Sequence, residues 1–142
     1  MDAYTISFLV STIWVGPFWL AMLIKPFDNK TNRLLNTPLF FLAPIVIWFL
    51  ILFLNPEGFI AFFNSGAHPE GIIAGIAEGL ATKAGLTATW AHVVAGDIFA
   101  TRWIWKDGVN RGTHIWWLRL AVFFGVLLMP IGVLLHLIFR NK

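Results

Sequence analysis

Four apolar runs separated by polar stretches constrain this chain more than any other feature. Residues 6–24, 39–54, 86–105 and 115–139 approach or exceed the ~20 predominantly apolar residues that a helix needs to cross a ~30 Å hydrocarbon core. A chain of 142 residues with 58% hydrophobic and 12% charged side chains lies outside soluble globular composition. The expected fold is therefore all-α: one polytopic transmembrane domain over residues 1–142, with four transmembrane helices and a long, partly helical connection between helices 2 and 3. Its first partner is the lipid bilayer.

The connection, Asn55 to Gly85, is too long for a tight turn and too apolar in Phe59–Phe63 and Ile72–Leu80 for a solvated linker. It is expected to lie on the membrane or dip into it. Gly71, Gly75 and Gly79 recur every fourth residue, a small-residue stripe that would let another helix approach closely if this stretch is helical. That stripe also makes a homo-oligomer, or membership of a larger membrane complex, a reasonable expectation.

Charge sets the expected orientation. Lys25, Lys30, Arg33, Arg102, Lys106, Arg111 and Arg119 flank the loops at 25–37 and 106–114, against Lys83, Arg140 and Lys142 on the other side. Seven against three predicts those two loops to be cytoplasmic and both termini to face the opposite side. The net charge of +3 is explained by this flanking, and nucleic acid is not an expected partner. The apolar run begins by Ile6 with no basic, serine-rich presequence before it, so a bacterial inner membrane or a photosynthetic membrane is the expected location.

Chemistry is concentrated in Trp90 to Gly108, where His92, Asp97 and Arg102 interrupt an otherwise apolar run. An ionisable group at such depth costs roughly 2.5–3.5 kcal/mol, so it calls for a partner, a wet cavity or a function. Asp97 is the first candidate. At ~100° per residue, His92 and Asp97 stand about 140° apart, as do Asp97 and Arg102, so no same-helix pair is expected. Trp90, Asp97 and Thr101 share one face. The bland alternatives are a carboxylate held by Trp, Thr or Arg for Asp97, an interhelical hydrogen bond for His92, and a snorkelling side chain for Arg102.

A hairpin of helices 3 and 4 turning near Asn110 would set Asp97 beside Phe123, Arg102 beside Leu118 and Arg119, and His92 beside Leu128–Pro130, with Pro130 kinking helix 4. His136 would then lie about 12 Å from the level of His92, too far to share a haem. No pair of ligands at helical spacing suggests a metal, and the absence of cysteine removes thiolate chemistry, so no cofactor is expected. Asp107-Gly108 reads as a turn, and His68 and His114 as loop or interfacial residues. Trp103, Trp105, Trp116 and Trp117 read as an aromatic belt or as a stacking surface for a conjugated ligand.

Trp90, His92, Asp97, Phe99, Arg102, Asp107 and Gly108, with Gly75-Ile76-Ala77 before them and Pro130-Ile131-Gly132 and His136 after, resemble the abscisic-acid-deficient-four-like family. The resemblance is strongest from Gly75 to Gly108. Plant members are linked to the formation of neoxanthin from violaxanthin, so it implies a polytopic membrane protein whose partner is a carotenoid or other apolar polyene. The chemistry implied is a redox-neutral isomerisation in which an epoxide opens, requiring an acid and a base within the membrane. On that reading His92, Asp97 and Arg102 form the catalytic set, and Trp90, Thr101 and Trp103 bind the substrate. The alternatives are a non-enzymatic carotenoid-binding or accessory subunit and a small proton-coupled transporter. The resemblance does not carry the substrate over.

Overall fold

The computed structural model describes residues 2–141; the terminal residues, including Lys142 of the charge comparison, and the side chains at 59, 61 and 62 lie outside the described set. Within it the fold is all-helical, with no strand among the described residues: α1 (Ala3–Ile24), α2 (Asn29–Leu35), α3 (Leu39–Leu54), α4 (Pro56–Asn64), a 3₁₀ turn (Ser65–Ala67), α5 (Ile72–Ala81), α6 (Lys83–Arg111), α7 (Ile115–Leu127) and α8 (Met129–Phe139). Ala3–Ile24 and Asn29–Leu54, the latter comprising α2 and α3, are long and apolar enough to cross a membrane.

Each long helix buries one narrow stripe. On α1 it is Ser11, Val15, Phe18 and Met22, and on α3 Phe40, Pro44, Ile47 and Ile51, the three-and-four spacing of a single helix face. The remaining faces are also apolar and point outward, as Ile13 (67% exposed) and Phe53 (77%) do. The core joins Phe18 and Met22 of α1 to Ile98, Ile104 and Trp105 of α6 and Leu118 and Val122 of α7. Local chemistry places the helix ends. The Asp2 carboxylate accepts from the Thr5 amide to start α1, and the Thr82 hydroxyl accepts from the Gly85 amide to start α6. Gly112, at φ +67°, ends α6 in the left-handed conformation, with the Thr113 amide donating back to the Gly108 carbonyl.

Two expectations are corrected. The third apolar run is longer than expected: α6 has 29 residues, about 43 Å, and continues as helix through the stretch expected to be the turn at 106–113. The fourth run is not one helix. Leu128, at φ −150° and ψ 73°, separates α7 from α8, and the chain folds back on itself. The Trp117 and Phe139 rings stack at 3.9 Å, and the Thr113 hydroxyl donates to the Arg140 carbonyl at 2.7 Å. Neither contact is possible in a continuous helix, where 22 steps separate Trp117 from Phe139 by about 33 Å. At 13 and 11 residues, about 20 Å and 16 Å, α7 and α8 are each too short to cross a ~30 Å core. They form an antiparallel helical hairpin.

The fold-back moves the C-terminal end. The Asp2 carboxylate pairs with Lys83 at 2.6 Å, and the Tyr4 hydroxyl donates to Asn55, so the N-terminus lies at the α3–α4 and α5–α6 end. Arg140 and Asn141 lie at the other end, beside Thr113 and Arg111. The termini are therefore at opposite ends, not together as expected. The hydrogen bonds from Lys83 and from the Thr5 amide and hydroxyl hold the exposed Asp2 carboxyl well below the usual carboxylate range.

The connection is helical in α4 and α5, as the apolar stretches suggested, and α5 buries no side chain. Its glycine stripe is used at two points: a Cβ at Gly75 would come within 2.9 Å of Ser65, and Gly85 of α6 packs directly on the Gly79 carbonyl, whereas Gly71 sits before the helix at φ +95°. Between the longer helices the close approach is where Thr101, Gly125 and Gly132 meet.

Candidate functional site

Asp97 lies halfway along α6, half-buried. Thr101, one turn on, packs against Gly125, and Gly108 packs against Leu118, so this face of α6 turns toward α7. Seven steps along α6 thus match seven steps back along α7. Four steps up from Thr101 bring Asp97 level with Met129, the tip of the helical hairpin, not with Phe123. The difference arises because α6 runs on to Arg111 and the chain turns at Thr113, not near Asn110.

None of the bland partners holds the Asp97 carboxylate. The Thr101 hydroxyl donates to the Asp97 backbone carbonyl at 2.7 Å, and the Trp90 indole donates to the Thr12 hydroxyl at 2.7 Å. The Arg102 Nε donates to the Leu35 carbonyl at 2.6 Å, with its guanidinium over the Phe40 ring. Among the described residues nothing hydrogen-bonds or ion-pairs with the Asp97 side chain.

The other proposed site residues disperse around α6. His92 is exposed on the α3 side, its ring 6.4 Å from that of Trp48. It does not meet Asp97. Arg102 closes the C-terminal end of α2, as Arg119 closes that of α1 by donating to the Leu23 and Ile24 carbonyls. Both cations sit where the helix dipole and free carbonyls favour them. Trp90 stacks on Phe8 between α1 and α6, with centroids 4.9 Å apart, and Thr101 is buried under Gly125. Trp103 remains partly exposed, edge-on to His136 at 5.1 Å. Two hollows lie elsewhere: one of about 230 Å³ beside Asp2, Tyr4, Phe8, Lys83 and Thr87, and an apolar groove of about 510 Å³ along Leu9–Phe18 of α1.

A second polar cluster was missed by the sequence reading. His136 of α8, only 2% exposed, bonds through Nε2 to Asp107 at 2.9 Å, and the Arg111 Nε donates to the same carboxylate oxygen at 2.7 Å. The Asp107–Arg111 spacing of four was legible; its meeting with His136 needed the fold-back. On α6 that level is fifteen steps, about 22 Å, from His92. Asp107 lies beyond the apolar stretch 86–105. Partial burial disfavours its ionised form, but the hydrogen bonds from Arg111 and His136 outweigh that and hold its carboxyl below the usual range.

A depressed native pKa contributes stability that is present above the ordinary carboxylate range and is lost as pH falls through the native value. Asp107→Asn is therefore expected to lower stability at neutral pH by about 1–3 kcal/mol and to flatten the acid loss of thermal stability. A melting series between pH 7 and about pH 3 checks this, and parallel curves for the two proteins would refute the assignment.

A family model described as ABA DEFICIENT 4-like matches residues 6–136. Protein ABA DEFICIENT 4, chloroplastic, of Arabidopsis thaliana is 27% identical over 134 residues, which cover 92% of this chain and 59% of that protein. The chain thus spans somewhat over half the length of that relative. No solved structure matches it. The matched region takes in α6, α7, α8 as far as His136, Asp97 and the Asp107–His136 pair, and the chain belongs to the ABA DEFICIENT 4-like family.

Proposed function

We propose that this protein catalyses a redox-neutral rearrangement of a carotenoid or similar polyene within a membrane, an isomerisation or epoxide opening, with Asp97 moving the proton. The observation that carries the reading is the Asp97 carboxyl, which has no hydrogen-bond or ion-pair partner among the described residues, halfway along a 29-residue helix whose Trp90, Thr101 and Arg102 bond to other acceptors. An uncompensated carboxyl at that position is expensive and is expected where it serves function. Family membership supports a carotenoid as the substrate class, through the plant members' link to violaxanthin and neoxanthin, without fixing which one.

The chemistry closes on one group. The epoxide C–O bond opens as its oxygen takes the Asp97 proton. The resulting carboxylate then takes a proton from a polyene carbon, and the electrons of that C–H bond form a new C=C bond. Substrate and product are isomers, and Asp97 returns to its starting state. His92, on the far side of α6, and Arg102, engaged at the end of α2, are not needed for this step.

In the proposed topology α1, α3 and α6 cross the bilayer, and α7–α8 enters from one side and returns. Eight of the nine described Lys and Arg lie toward that side, including Arg140 after the fold-back, leaving Lys83 at the other end. The positive-inside bias makes that side cytoplasmic in an inner or photosynthetic membrane.

Expression in carotenoid-producing bacteria tests the function. Wild type is expected to yield a new pigment isomer, and Asp97→Asn to lower its formation by about 10²–10⁴-fold. Undiminished product from Asp97→Asn would sink the reading. The dispersal of Trp90, His92 and Arg102 away from Asp97 favours a second reading, a pigment-binding or accessory subunit. In that case an unaltered pigment copurifies with both proteins.

A further inference from the structure

The α7–α8 hairpin covers only the half of α6 between Asp97 and Arg111. From Asp97 back to Lys83 the same face continues for 14 steps, about 21 Å, beyond the hairpin tip. Leu86 and Val93 lie within about 40° of Asp97 around the helix. They are exposed (59% and 42%), as is Leu128 at the tip (53%). α6 and the hairpin tip make a step in the molecular surface, with the Asp97 carboxyl, which has no partner among the described residues, at its foot.

We infer that this step is a binding notch for a long, uncharged apolar molecule that lies along Leu86 and Val93 and sets a hydroxyl, epoxide or carbonyl oxygen against Asp97. The inference rests on the proposed role of Asp97 and adds where the substrate lies and how it arrives. A charged headgroup would be desolvated against these walls, and Lys83, the cation at the far end of this face, is already paired with Asp2. A pure hydrocarbon would leave the carboxyl without a hydrogen-bond partner. A neutral, oxygen-bearing polyene satisfies both surfaces. The hairpin blocks the basic-end half of this face, so entry is sideways from the half of the bilayer at the N-terminal end of the protein.

The absence of native cysteine makes the notch directly testable. Val93→Cys places a thiol on its wall, and Ile13→Cys places one on the outward face of α1 as a control. Both would be labelled with N-ethylmaleimide in vesicles containing violaxanthin, the oxygen-free β-carotene, or no pigment. With violaxanthin at about ten times its dissociation constant, labelling of Val93→Cys is expected to slow about tenfold, with no change at Ile13→Cys and little effect of β-carotene. Equal rates at Val93→Cys with and without violaxanthin overturn the notch, and equal protection by β-carotene overturns the role given to the oxygen. The pigment conversion assay is independent. Conversion unchanged in Asp97→Asn with protection intact removes the proton-transfer role and leaves the notch, whereas Asp97-dependent conversion without protection removes the notch and leaves that role.

Discussion

Cysteines introduced by Trp117→Cys and Phe139→Cys are expected to be joined within one chain by a short bis-maleimide, nearly to completion, in a protein that has no cysteine of its own. The two native rings stack at 3.9 Å, and packed helix axes lie roughly 8–10 Å apart, within reach of such a reagent. In a single membrane-crossing helix the same positions stand about 33 Å apart and would not be joined. The pair Trp117→Cys and Leu128→Cys, at the two ends of α7 and about 16 Å apart, serves as the unjoined control. The outcome is close to all or none. A folded protein in which positions 117 and 139 join no better than 117 and 128 would return the fourth apolar run to one continuous helix. It would also remove the step at Asp97, because that step exists only where the hairpin stops.

The second large effect is expected at Gly132. A Cβ there would come within 2.5 Å of the Gly125 backbone nitrogen and Cα and 2.8 Å of the Ala121 carbonyl oxygen. All three are backbone atoms, so relief requires α8 to move away from α7. Gly132→Ala is expected to cost about 1–3 kcal/mol, the range for overpacking a close contact, and Gly132→Leu more. For a protein of this size that lowers the melting temperature by several degrees, at roughly 2–4 °C per kcal/mol. Gly16→Ala makes the comparison, because nothing lies within 4 Å of a Cβ at Gly16 and alanine is the better helix former. Thermal unfolding of both in the same detergent decides the matter: equal melting temperatures would mean that α7 and α8 do not meet at Gly125 and Gly132. Displacing α8 would also draw His136 away from Asp107, so the Gly132 variants should share the flattened acid profile of Asp107→Asn.

What the sequence by itself determined follows from local physics. Apolar run length marked the helices, Asp2 and Thr82 capped two of them, and the bias of Lys and Arg to one end was countable without coordinates. Asp97 was identifiable too, since the cost of a carboxyl in an apolar run does not depend on where the helix packs. What surrounds Asp97 was not legible. Whether Trp90 and Arg102 hold its carboxylate depends on where α1 and α2 present better acceptors, and they bond to the Thr12 hydroxyl and the Leu35 carbonyl instead, while Thr101 bonds back to the Asp97 carbonyl of its own helix.

The fold-back at Leu128 was decided by tertiary structure alone. Burial of apolar surface is non-directional, so a predominantly apolar run of 25 residues is satisfied equally by crossing a membrane or by turning back within it. Pro130 was a visible signal, but a proline one residue into a new helix and a proline kinking a continuous one look alike in sequence. Three contacts favour turning back: the close approach of Gly125 and Gly132, the Trp117–Phe139 stack, and the Asp107 carboxylate that satisfies His136. Each joins residues whose proximity exists only after the chain has turned, which is why hydropathy could locate the apolar run while only packing could set its path.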